Sequence, residues 1–117
     1  MGNHPIYVSI YIAIKGLLLA IKRERSMKYH LILGTLACIL GLYLRIDRIE
    51  WMFVIISIFM VIAAETINTA IEESIDIFVK GYSEKAAIAK DVSAGAVCIT
   101  ALNALIIGAI IFLPKIL

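Results

Sequence analysis

Three long stretches of the chain, 29–44, 51–64 and 92–113, contain no Asp, Glu, Lys or Arg. A helix of about 20 apolar residues crosses the hydrocarbon core of a bilayer, where every backbone N–H and C=O must be paired within the segment. The three runs therefore predict an all-α integral membrane protein with three spans. Composition agrees with this: 62% of the 117 residues are hydrophobic and mean hydropathy is +1.00. A soluble chain of this size could not cover that much apolar surface with 11 basic and 9 acidic residues, and its length allows one domain only, 1–117.

Ahead of the first run, residues 5–25 are apolar but interrupted by Lys15 and closed by Lys22, Arg23 and Arg25. A helix in the headgroup layer tolerates such charges and keeps Tyr7 and Tyr11 at the interface, so an amphipathic surface helix is expected. Span 1 is placed at 29–44 and ends in the polar turn Arg45 to Glu50, and Trp51 anchors the start of span 2 at an interface. Span 2 has no Gly or Pro to stop it before Gly81, which predicts a helix over 51–79 that leaves the membrane. Gly81-Tyr82-Ser83 is the break, a short polar helix runs from Glu84 to Asp91, and span 3 covers 92–113 until Pro114 ends it.

Lys22, Arg23, Arg25 and Lys28 precede span 1, and Lys80, Lys85 and Lys90 lie between spans 2 and 3. Only Arg45, Arg48 and Lys115 fall at the opposite ends, so the positive-inside rule puts the N-terminus and the second connection in the cytoplasm. A net charge of +2 gives no reason to expect a nucleic-acid partner. Cys38 and Cys98 lie inside apolar runs and predict neither a disulfide nor a zinc site. Ala37 with Gly41, and Ala104 with Gly108, are spaced for close helix contact. Gly16 reads as a packing glycine, and His4 and His30 as interfacial or surface residues.

The most informative stretch is Ala63-Ala64-Glu65-x-x-Asn68-Thr69-Ala70-Ile71-Glu72-x-x-x-Asp76. At about 100° per residue, Glu65, Asn68, Glu72 and Asp76 fall within an arc of roughly 80° and form one acidic stripe. Near a membrane such a stripe calls for a positive partner, either Lys or Arg side chains or a divalent ion such as Mg²⁺, which needs only one or two carboxylates beside substrate phosphates. Glu65 directly follows an apolar run, which favours a placed carboxylate usable as a base over a randomly solvated one. Glu73 points to another face and reads as a solvated helix end. Lys90 and Asp91 could meet phosphates or a nucleotide hydroxyl, or form only an interfacial ion pair. Glu24, the one acid in a basic run, reads on composition alone as part of an intrahelical ion pair.

Taken in order, Lys15-Gly16, Glu24, the Glu65 to Asp76 block and Ala89-Lys90-Asp91 resemble the small prokaryotic diacylglycerol kinase family over nearly the whole chain. Ile49-Glu50-Trp51 and the ending Phe112-Leu113-Pro114-Lys115 are similar to its undecaprenol kinase branch in Gram-positive bacteria. The resemblance implies a homotrimeric lipid kinase using ATP and Mg²⁺ at the cytoplasmic surface of the cell membrane, with a lipid alcohol as acceptor, undecaprenol ahead of diacylglycerol. By position it implies that Glu65 is the base and Asn68 its polar neighbour. Glu24 and Glu72 correspond to the metal-binding acids, which also contact nucleotide through the metal. Lys90 and Asp91, with the turn Gly81, Tyr82 and Ser83, correspond to nucleotide contacts. His4-Pro5 departs from the pattern, because some relatives carry an Arg there. A small proton-coupled transporter and a structural membrane subunit remain the other classes, but neither accounts for acids gathered at one rim opposite basic residues.

Overall fold

A computed structural model describes residues 3–117 as four helices, α1 (Ile6–Arg23), α2 (Arg25–Leu44), α3 (Arg48–Phe78) and α4 (Glu84–Ile116). The last three are long and apolar enough to cross a membrane. α1, eighteen residues containing Lys15, Lys22 and Arg23, is not among them. At 1.5 Å per residue α3 and α4 are each close to 50 Å long, well beyond a hydrocarbon core of about 30 Å, so both extend past the bilayer. They pack along each other, with α2 against α3 and α1 in contact with both α2 and α3.

The breaks follow local chemistry. Glu24 leaves the helical region (φ −95°, ψ 118°) and separates α1 from α2, so it cannot form the intrahelical pair its neighbours suggest. Arg45 closes α2 in the left-handed region at φ 55°. Asp47 then starts α3 three residues ahead of Trp51: its side chain accepts from Glu50 N at 2.8 Å while Asp47 N donates to Glu50 Oε1 at 3.0 Å. This reciprocal pair satisfies two backbone donors that a helix start would leave open. Gly81 turns at φ +76°, and the Ser83 hydroxyl accepts from Ala86 N at 3.3 Å to start α4.

Three expectations change here. The polar stretch from Glu84 and span 3 are one unbroken helix, and Pro114 lies inside it rather than ending it. In the last turn proline forfeits only one backbone bond, and Leu117 N still reaches Leu113 O at 2.9 Å. Gly16 packs against nothing within the chain: a Cβ there would meet no atom within 4 Å.

The apolar core lies at one end of the bundle. Ile46, Val54, Ile111 and Phe112 are buried, with Ala37, Leu40, Leu44 and Trp51 against them. Gly41 lets this end close, since a Cβ would stand 2.9 Å from the Trp51 ring and 3.0 Å from Ile46. The close approach expected of Gly41 is thus to the start of the next helix. Gly108 shows no such approach within one chain. Elsewhere the helices turn large side chains outward, among them Leu36, Phe59, Ile99, Leu105 and Ile110, as lipid-facing surfaces do.

A candidate active site at the polar rim

Along α3 the acidic stripe is graded by depth. Glu65 is 1% exposed, Asn68 is buried, Glu72 half-buried and Asp76 exposed. Each has a different partner, as burial requires. Asp76 accepts from Lys90 Nζ at 2.6 Å, across the turn between α3 and α4. That hydrogen bond, aided by the negative charges of Asp76 and Glu72, raises Lys90 above the usual lysine range against the opposing effect of desolvation. Lys90 is therefore charged at neutral pH, and it pairs with Asp76 rather than with its neighbour Asp91, which is exposed.

About two turns deeper than Asp76, Asn68 joins the two long helices. Its Nδ2 donates to Glu72 Oε1 at 2.7 Å, and its Oδ1 accepts from Ser93 Oγ at 2.6 Å. The bridge commits one oxygen of Glu72 and both ends of the amide.

Glu65 is the deepest of the four. Its Oε2 accepts from Ser26 Oγ of α2 at 3.2 Å. Nε2 of His30, one turn further along α2, stands 3.2 Å from Oε1. The ring makes no aligned hydrogen bond there, so among the described residues Oε1 is buried without a hydrogen-bond donor. His30 is thus no surface residue: it is half-buried against the innermost carboxylate. His30 also lines a half-open cavity of about 670 Å³ between α2, α3 and α4, whose walls are apolar apart from His30 and Ser57.

At the outer edge, Glu73 is exposed, as a solvated residue should be, and forms a surface ion pair with Arg23 that links α1 to α3. Glu24, half-buried at the α1–α2 break, makes no side-chain hydrogen bond among the described residues. Gly81 and Tyr82 are exposed in the turn, and Ser83 is engaged in capping α4. The fold therefore brings together Glu65, Asn68, Glu72 and Lys90 along neighbouring turns of α3 and α4, and it joins neither Glu24 nor Asp91 to them by a direct bond.

Sequence reasoning missed His30, Ser26 and Ser93. The first two were readable, because Ser26 and His30 at i and i+4 share a face of an otherwise apolar helix. Ser93 carried only the weaker signal of a hydroxyl near the start of an apolar run.

The fold and this rim define a class, a polytopic helical membrane protein with a buried carboxylate network opposite basic side chains. The chain belongs to the prokaryotic diacylglycerol kinase family, whose profile matches residues 11–112. It is 36% identical over 101 residues to an undecaprenol kinase of Bacillus subtilis, covering 86% of this chain and 82% of that protein. A diacylglycerol kinase of Synechocystis is 32% identical over 113 residues, 96% of this chain but 65% of the relative. A diacylglycerol kinase of Helicobacter pylori strain J99 is 28% identical over 95 residues, 81% of this chain and 74% of that protein.

Proposed function

We propose that this protein is an ATP-dependent lipid kinase that phosphorylates undecaprenol to undecaprenyl phosphate, with diacylglycerol a secondary acceptor. The observation that carries the phosphotransfer reading is Glu65, a carboxylate held inside the rim of a membrane bundle with one oxygen left free. A buried polar atom without a partner is disfavoured unless a ligand completes it, and a lipid hydroxyl is a donor of the right kind. The preference for undecaprenol rests on the Bacillus relative and on the apolar cavity, which offers few hydrogen-bond donors for ester carbonyls.

In this reading the lipid alcohol enters laterally and its hydroxyl donates to Glu65. As the hydroxyl oxygen bonds to the γ-phosphorus of ATP, its proton passes to Glu65 and the bond from phosphorus to the bridging oxygen breaks, leaving that electron pair on ADP. Lys90 lies near the phosphates, Asp91 and the turn at Gly81, Tyr82 and Ser83 contact nucleotide, and Asn68 fixes Glu72. The donor set suits Mg²⁺: Glu72 has one oxygen outside the Asn68 bond and Glu24 has both free, and Mg²⁺ needs few protein ligands when phosphates supply the rest. Glu24 and Glu72 would hold the ion, which neutralises charge on the phosphates when bound. We place the site at the cytoplasmic face of the cell membrane, with the N-terminus cytoplasmic and α1 on the surface. The basic residues Lys22, Arg25, Lys28, Lys80 and Lys85 at that end support this orientation. Assembly in this reading is a homotrimer.

The test is transfer of label from [γ-³²P]ATP in mixed micelles containing either undecaprenol or dioleoylglycerol. The expected result is a higher kcat/KM for undecaprenol with measurable label in dioleoylglycerol. The reversed ratio would make the protein a diacylglycerol kinase, and label in neither lipid would refute the kinase reading.

A further inference from the structure

His30 stands between two things that a lipid kinase must connect. On one side is the free oxygen of Glu65, 3.2 Å from Nε2. On the other is the apolar cavity, whose only other polar wall group, Ser57, accepts a long hydrogen bond from Asn103 at 3.4 Å. A chain lying in that cavity meets two polar groups, the Ser57 hydroxyl and the His30 imidazole, and of these the imidazole is the one that stands beside Glu65.

We propose that His30 is the positioning residue for the acceptor: the chain next to the alcohol occupies the cavity between α2, α3 and α4, and His30 fixes its hydroxyl against Glu65 Oε1. The inference rests on the kinase reading above. Its physical basis is the division of labour around one carboxylate. Ser26 holds Oε2 and so fixes the plane of the group, which leaves Oε1 for the incoming O–H. The imidazole, poorly aligned with Oε1, keeps its Nε2 available to the alcohol oxygen, so one hydroxyl can meet both groups at once. A cavity of about 670 Å³ is the size of sites that enclose ligands of a few hundred daltons, so it takes the isoprene units beside the hydroxyl and leaves the rest of the chain in lipid. Misplacing a reacting oxygen by about 1 Å reduces rate by up to roughly a hundredfold, whereas nucleotide binding at Lys90 has no contact with this residue.

The test compares His30→Ala and His30→Gln with the unmutated protein in the same micelles, varying undecaprenol and Mg·ATP independently. His30→Ala should lower kcat/KM for undecaprenol by roughly ten- to a hundredfold and leave the KM for Mg·ATP within about twofold. His30→Gln, whose amide also presents a donor and an acceptor, should recover most of the loss. Equal impairment of both variants with a lowered melting temperature, or a KM for Mg·ATP that rises as much as that for lipid, would make His30 a structural residue and overturn the inference. Ala104→Phe, which narrows the cavity without touching the rim, should raise the KM for undecaprenol with the oligomer intact. Loss of the oligomer with an unchanged KM for lipid would show that a second copy covers the cavity, and would equally overturn it. If the unmutated protein labels no lipid alcohol, the kinase reading falls and takes His30 with it. If it labels undecaprenol and His30→Ala matches it, only the role of His30 falls.

Discussion

The two ends of the bundle solve opposite problems. At the end that carries Gly41, Trp51 and Phe112, helices close on one another through apolar contact, and the polar groups are matched: Asp47 and Glu50 cap α3, and Lys115 lies 3.3 Å from Glu50. At the other end the polar Glu65, Asn68 and Ser93 are buried along with the apolar Ala20, Met27 and Val61, and one carboxylate oxygen has no aligned donor among the described residues. A protein selected only for stability would have reason to keep the first arrangement and lose the second. The first end is built to hold the fold, and the second is where we propose the chemistry takes place.

The largest expected effect comes from Glu65. Glu65→Gln should lower turnover roughly a thousandfold, within the range a positioned acid–base group supplies. A variant keeping half of the unmutated rate would remove Glu65 from the chemistry. Next are Glu72→Gln and Glu24→Gln, each of which should raise the Mg²⁺ concentration for half-maximal rate by about tenfold, the effect of weakening a metal site. Mg²⁺ titrations that overlay on the unmutated curve would separate these acids from the ion. At the other end, Gly41→Val forces a side chain into the Trp51 ring and should destabilise the fold by about 1–3 kcal/mol while the remaining folded protein keeps its kcat. A fall in kcat at constant folded fraction would break the separation of the two ends. Smallest of all, Lys115→Ala removes a partly exposed ion pair and should change stability by under about 1 kcal/mol, with kinetics unchanged.

Much of this contrast was legible in the sequence, and the reason is periodicity. Uncharged runs of the right length set the three spans, and the 3.6-residue repeat puts Glu65, Asn68, Glu72 and Asp76 on one face. The start of α3 was legible in principle, since Asp47 and Glu50 are spaced as a capping box, yet Trp51 drew the boundary three residues late. What periodicity cannot supply is which residue of another helix meets the stripe. Lys90 pairs with Asp76 fourteen residues earlier and not with adjacent Asp91, and His30 meets Glu65 across 35 positions, because helix packing and not sequence distance decides both. Pro114 misled for a different reason: proline stops a helix interior, but in the last turn little hydrogen bonding remains to lose.

Whether the buried carboxylate of Glu65 is kept for chemistry or for stability is decided by the thermal midpoint of Glu65→Gln in detergent. A carboxylate with an unsatisfied oxygen contributes little to folding, so the neutral amide should melt at the same temperature as the unmutated protein or higher while its turnover collapses. A midpoint several degrees lower would mean that Glu65, His30 and Ser26 form a structural cluster, and would contradict the assignment of this end of the bundle to catalysis.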